Sequence, residues 1–245
     1  MCVLRRPYDK KDVFGAFLVK NASFSKGIYD MPIVSSNISA LPKTLIPYNT
    51  SLNKKSVVKS TAALHFYVYD YLFDGRFGVW NTLISGTEYK KGFCLKRLED
   101  YGCLIAPDYS LYLDMPVEWQ IWNTYRNRVV TFALQELGYS VIPSVRWSDT
   151  KSFAFCFEGI KQNSIVSVGS YGCSKTIADK LLFEIGLEEL IKRLNPSTIL
   201  FYGSLSNKCK EILSEHQQKH LLFKPNVAPT QTGRIIRGEG VLSWE

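Results

Sequence analysis

Alternating strand and helix signals along residues 61–223 predict an α/β protein built on a parallel sheet of repeated βα units. Two observations carry that class. From Leu104 to Asp149, two apolar runs, Leu104–Ala106 and Ser140–Val145, flank one long amphipathic stretch. Each run then gives way to polar and aromatic residues, Pro107-Asp108-Tyr109-Ser110 after the first and Arg146-Trp147-Ser148-Asp149 after the second. Strands joined through helices run parallel with right-handed crossovers, which gathers those residues at one edge of the sheet. An incomplete or distorted (β/α) barrel fits best, with a doubly wound open sheet as the alternative. Arg146 at one strand end, and Ser167 and Ser170 on the next strand, turn polar groups to one side, which suits a barrel mouth better than a dry open sheet.

Taken in order, residues 1–60 read as a loop-rich N-terminal wrap, with a candidate strand at Val13–Val19 and Pro32, Pro42 and Pro47 among short apolar pieces. Thr61–Tyr69 is aromatic and β-rich and predicts a strand, followed by a loop over Asp70–Arg76. A helix over Lys91–Tyr101 ends at Gly102. Cys103–Ala106 is a strand. Pro116–Leu137 is a helix: Pro116 suits the first turn, Gly138 follows the end, and Trp122, Tyr125, Val129 and Phe132 recur at helical spacing. Strands follow at Tyr139–Arg146, Ser164–Gly169 and Thr198–Gly203, with a helical turn within Ser152–Gly159 and helices over Lys175–Leu194 and Asn207–Gln217. Leu221–Phe223 is a last short strand, and residues 224–245 form an extended or poorly ordered tail carrying Arg234 and Arg237. The α/β core thus spans 61–223, with no internal boundary.

Composition narrows the function class. The chain has 245 residues, 46% hydrophobic and 21% charged, enough for a sizeable core. No apolar run is long enough to span a membrane, and the N-terminus lacks the apolar stretch of a signal peptide. Six scattered cysteines with no C-x-x-C pair fit reduced thiols and a cytoplasmic location. A net charge of +8 favours anionic partners, nucleic acid or a nucleotide foremost.

Several stretches together resemble a known family: PDYSLYLDMP, QIWNTYRNR, VIPSVRWSD, FAFCFEGI, SIVSVGSYGC and ILFYG, in that order, with DVFGAFLVKNASF as an opening. The family is the domain of unknown function 4417, which occurs in phages, plasmids and integrative elements of Gram-positive bacteria. The resemblance covers about residues 12–203. It departs where the family's acidic HFFEDDYKFE-like segment appears here as HFYVYDYLFD, with carboxylates lost. The family has no established activity, so the resemblance implies a mobile-element setting and no mechanism. A host or phage protein is therefore a further candidate partner.

In parallel α/β folds ligands bind beyond the carboxyl ends of the strands, which makes the candidates positional. Asp108 and Asp149 could converge as an acid/base pair or as ligands of Mg²⁺ or Mn²⁺, or each could cap a loop. Asp114, just before Pro116, reads as a helix cap. Tyr109, Ser110, Asn123, Arg126, Arg146 and Trp147 interleave polar and cationic groups with rings, a pattern suited to bases and phosphates. Trp122 and Tyr125 fit a buried stripe and Arg128 a solvated neighbour. Ser170, Tyr171, Gly172 and Cys173, followed by Ser174 and Lys175, join a strand to a helix where backbone N–H groups could hold a phosphate and lower the Cys173 pKa. The spacing is not that of a P-loop. Two function classes follow: a binding module for a phosphate-bearing ligand, or an Mg²⁺-dependent or acid/base enzyme acting on a nucleotide or nucleic acid.

Overall fold

The computed structural model describes residues 12–51, 57–85, 94–171, 173, 176–225, 227–229 and 235–237. Four strands, β1 (Thr44–Pro47), β2 (Ala62–His65), β3 (Cys103–Ile105) and β4 (Val141–Ile142), form a parallel sheet in chain order. Three more, β5 (Ile165–Gly169), β6 (Thr198–Tyr202) and β7 (His220–Phe223), form a second parallel sheet. A single parallel bridge between Ser144 and Ser167 joins the two. Val145 N–H donates to the Ser167 carbonyl, and Ser167 N–H to the Pro143 carbonyl, both at 2.9 Å. Strand β4 is far shorter than its sequence suggests because Pro143 has no N–H to give the ladder.

The order β1 to β7 is that of an unrolled (β/α) barrel, yet the expected barrel is not formed. Among the described residues nothing pairs β7 with β1, so the sheet stays open. It is nevertheless strongly curled. Four strand spacings separate β2 from β6, ~19 Å in a flat sheet. The rings of His65 on β2 and Tyr202 on β6 lie only 4.3 Å apart, and Tyr67 stacks on Tyr202 at 5.4 Å. Period-two alternation sorts the strand residues accordingly. Leu45, Ala63, Ile105, Ile142, Leu200 and Tyr202 fill the concave side. On the convex side Val166, Val168, Ile199 and Phe201 pack under helices α5 (Ile177–Leu194) and α6 (Asn207–Glu215). Leu64, Leu104 and Val141 meet α4 (Val117–Glu136) through Val129, Val130 and Leu134.

Other elements differ from the sequence reading. Val13–Val19 is not a strand: Gly15 takes a left-handed φ of 67° and Ala16–Val19 is a 3-10 helix. The stretch read as a loop begins with α1 (Asp70–Phe73), followed by α2 (Val79–Ser85). Helix α3 is described over 94–98. The turn expected after β4 is a 3-10 helix, Thr150–Ala154. In the tail, Val227–Pro229 pairs antiparallel with Ile235–Arg237, whereas the sequence suggested no regular structure; Arg234 lies outside the described residues. Cys94, Cys103, Cys156, Cys173 and Cys209 are free thiols. No helix among the described residues is long and apolar enough to cross a membrane.

Arg128 overturns its reading as a solvated side chain. It is only 2% exposed. Its guanidinium donates to the carbonyls of Cys156 at 2.7 Å, Glu158 at 2.9 Å and Ser144 at 3.3 Å, and pairs with Asn127 Oδ1. Burial pushes its pKa down to about 10. Next to it, Asn127 Nδ2 donates to the Pro107 carbonyl at 2.6 Å and to Ser144 Oγ at 2.7 Å. Helix α4 therefore holds the segments after β3 and β4 through hydrogen bonds as well as apolar packing. Replacing Arg128 by Met should destabilise the protein by about 3 kcal/mol or more, because buried carbonyls are left unpaired. Denaturant unfolding of the variant checks this, and a loss under about 1 kcal/mol would show that water takes over the role of the guanidinium.

A candidate ligand cleft at the strand ends

Three parallel strands release their chains at one edge. Beyond β3 the chain runs through Pro107 to Asp114, beyond β4 through Val145 to Ser148, and beyond β5 come Ser170, Tyr171 and Cys173. Between these segments and the first turns of α5 lies a cleft of about 330 Å³. Arg146, Trp147, Gly169, Cys173, Asp179 and Phe183 contribute to its walls, and Leu111 to Asp114 close one side.

Arg146 is the cation of the cleft. Its NH1 donates to Asp108 Oδ2 at 3.0 Å, and its side chain keeps 24% of its exposure. No other hydrogen bond engages this guanidinium among the described residues. Asp108 sits behind it, 6% exposed, with Oδ1 lacking any hydrogen-bond partner. Burial pushes the Asp108 pKa up to about 6; Arg146 opposes the rise and the nearby Asp70 adds to it. Behind the pair, Asn127, Arg128 and Arg146 help line a cavity of about 10 Å³, room for about one water.

Two glycines let the walls approach. A Cβ on Gly169 would lie 2.7 Å from the Tyr67 ring and 3.5 Å from Asp108 Oδ2. Tyr67 is fixed there by donating its hydroxyl to Ser167 Oγ at 2.7 Å. A Cβ on Gly186 would lie 2.0 Å from Trp147 Nε1, which donates to the Leu182 carbonyl at 3.2 Å. Trp147 is thereby a buried wall of the cleft, packed on Phe183 and Phe157.

The remaining candidates divide. Cys173 borders the cleft, but its thiol pKa is raised by burial, with Asp108 and Asp179 adding to the rise and Arg146 opposing it, so the lowered value expected at a helix start is not found. Asp114 is not the cap of α4, since Pro116 takes that position without a side-chain bond; Asp114 lines the cleft instead. Asp149 caps the 3-10 helix, accepting from Lys151 and Ser152 N–H at 3.0 and 3.2 Å. Among the described residues no three His, Cys, Asp or Glu side chains are grouped to hold a metal ion.

Tyr109, Ser110, Asn123 and Arg126 form a separate buried network. The Arg126 guanidinium lies 4.0 Å from the centre of the Tyr109 ring and donates to Asp74 at 2.5 Å and to Asn123 Oδ1 at 2.6 Å. Asn123 Nδ2 donates to the Ser110 carbonyl, and Asp70 accepts from the Ser110 N–H and hydroxyl. Ser170 is buried and donates to the Tyr202 carbonyl, while Tyr171 packs against the concave core. Gly172, Ser174 and Lys175 lie outside the described residues. Asp179 and Phe183 went unnoticed in the sequence as site residues. Asp179 carried a signal, the T-x-x-D spacing of a capping box with Thr176.

A family profile described as Domain of unknown function (DUF4417) matches residues 24–219. The Gene 1 protein of Mycobacterium phage L5 is 34% identical over 181 residues, 74% of this chain and 74% of its own length. The Gene 1 protein of Mycobacterium phage D29 is 33% identical over 181 residues, 74% of this chain and 63% of its own length. No solved structure matches the chain at a significant level.

The raised pKa of Asp108 has a definite sign in stability. The folded state binds its proton more tightly than the unfolded chain does, so its contribution is fully present below the ordinary value of 3.8 and is lost as pH rises through about 6. That gap corresponds to up to about 3 kcal/mol. Between pH 4 and pH 7, wild type should lose stability relative to Asp108→Asn in denaturant unfolding. A difference between the two that does not change with pH would mean that Asp108 titrates normally.

Proposed function

The chain belongs to the family of the domain of unknown function DUF4417, and on that footing we propose that its cleft binds a phosphate-bearing ligand of nucleotide size, free or as an unpaired unit of nucleic acid. The observation that carries this reading is the state of Arg146. Asp108 fixes it through one of its five N–H donors, and the other donors have no hydrogen-bond partner among the described residues, on a side chain that lines the cleft and keeps part of its exposure. A planar guanidinium held in this way is suited to bidentate contact with phosphate. The volume falls in the range of small-molecule sites, and Leu111, Trp147 and Phe183 supply apolar wall for a base. The net charge of +8 accords with an anionic partner.

A second reading rests on Asp108, a buried carboxyl with a pKa near 6 beside a cleft, which is the profile of a general acid or base. Turnover of a bound nucleotide that is lost in Asp108→Asn, with binding retained, would favour it.

The binding reading is tested by titrating inorganic phosphate, nucleoside monophosphates and single-stranded DNA and RNA at two salt concentrations. Arg146→Ala should weaken binding by about tenfold or more, as expected for loss of a charge-assisted contact worth about 1.5–3 kcal/mol. Lys224→Ala, an exposed residue beyond β7, should change it by less than about threefold. Equal losses in both variants would indicate diffuse charge attraction. Absence of any anion binding would point to a protein partner, with Ile177, Leu181 and Ile185 on the exposed face of α5 as the surface to probe.

A further inference from the structure

The cleft wall carries further polar groups besides Arg146, and they constrain the ligand. Facing the same space as Arg146 are two carboxylates, Asp114 and Asp179, and no further cation lines the cleft among the described residues. Asp108 is already paired with Arg146. Among the described lining residues, a multiply charged anion such as a nucleoside triphosphate would meet one guanidinium and two opposing carboxylates, which disfavours it relative to a monophosphate. Asp179 is also held in place. Its Oδ2 accepts from the Thr176 N–H at 3.0 Å while Thr176 Oγ1 accepts from the Asp179 N–H at 3.0 Å. The other oxygen of Asp179 has no hydrogen-bond partner among the described residues. Asp179 is thus a carboxylate with one fixed oxygen, on a residue that lines a cavity of about 330 Å³.

Building on the phosphate-binding reading, we infer that the cleft takes a nucleoside monophosphate, or the equivalent unpaired nucleotide, whose base carries an exocyclic amino group: the phosphate meets Arg146 and the amino N–H meets Asp179. Carboxylates accept from such amino groups, as from N4 of cytosine, and repel the carbonyl oxygen that replaces it in uracil. Leu111, Trp147 and Phe183 also line the cleft, and the one side-chain donor among these three, the Trp147 N–H, is already occupied by the Leu182 carbonyl.

Calorimetric titration of the full chain with CMP, UMP and inorganic phosphate at pH 7 tests this, using wild type, Asp179→Asn and Arg146→Ala. The asparagine keeps an acceptor for the Thr176 N–H, and thermal melting confirms that the variant folds. CMP should bind wild type about tenfold more tightly than UMP, the scale of one hydrogen bond to a charged group. Asp179→Asn should bring the two within about threefold while phosphate affinity stays the same; Arg146→Ala should weaken both nucleotides alike. Equal binding of CMP and UMP to wild type, or a preference that survives in Asp179→Asn, overturns the inference while leaving the phosphate site standing. Absence of binding by all three ligands overturns both.

Discussion

The seam between β4 and β5 holds the molecule together. Two parallel sheets meet through one bridge, Ser144 to Ser167, where Pro143 interrupts a regular ladder. So little backbone pairing would not fix the angle between two sheets, and side chains complete it from both faces. On the convex side, Asn127 holds Ser144 Oγ while Arg128 holds the Ser144 carbonyl and the chain at Cys156 and Glu158. On the concave side, Tyr67 donates to Ser167 Oγ, which in turn donates to the Leu200 carbonyl. The bridge is thus the centre of a hydrogen-bonded knot, and the cleft opens just past it, from Val145 and Arg146 on one strand to Val168 and Gly169 on the other. The side chains that enter the cleft from the ends of β4 and β5 inherit their position from this knot.

Three arginines near the seam show how placement decides role. Arg126 is satisfied by Asp74, Asn123 and the face of Tyr109, and it ties α4 to the α1 region. Arg128 is satisfied almost wholly by carbonyls and serves as an internal strut. Arg146 alone of these three combines a single fixed contact with an open side. The same residue type supplies a tie, a strut and a half-open cation at a cleft wall, and the difference lies in how many acceptors converge on each.

The parallel α/β class, the chain order of the strands and the gathering of the segments past β3, β4 and β5 at one edge, where a cleft lies, were legible in the sequence, because apolar runs separated by helical periods leave few topologies. Closure was not legible. Whether seven strands curl into a ring or stop short depends on twist accumulated over many pairs, and no local pattern records it. Short elements such as α1 and α2 escaped because Asp70 and Gly75 read as turn residues. Arg146 and Trp147 were legible as strand-end residues that cannot both lie in the core, and Asp108 as the matching position on β3. Arg128 was misread because helix α4 buries a polar face. Gln120, Asn123, Thr124, Asn127 and Thr131 are all buried with it, so hydrophobic periodicity marks only the part of that helix facing Leu64 and Val141. The Tyr109–Arg126 network was misread for the same reason: polar residues that pair with each other inside the fold look, in sequence, like residues awaiting a ligand.

That polar burial bears on function as well as folding. Polar groups buried at a seam cost stability unless each is paired, and apolar side chains could fill the same space at lower cost. Here most are paired, through Asn127, Arg128, Ser144, Ser148 and Ser167. Asp108 is the exception on the cleft side, with one oxygen on Arg146 and the other without a partner. A chain selected for stability alone would not keep an underpaired carboxyl there. Departures from local packing rules collect at sites where an outside group must be met. Asp108 fits that pattern because it holds the one guanidinium that lines the cleft among the described residues. The glycines at 169 and 186 fit it too, since each gives up side-chain packing so that Tyr67 and Trp147 can approach the site closely. The walls of the cleft and the weakest join in the sheet are therefore set by the same few residues, Asp108 and Arg146 beside the Ser144–Ser167 bridge and Gly169 just past it.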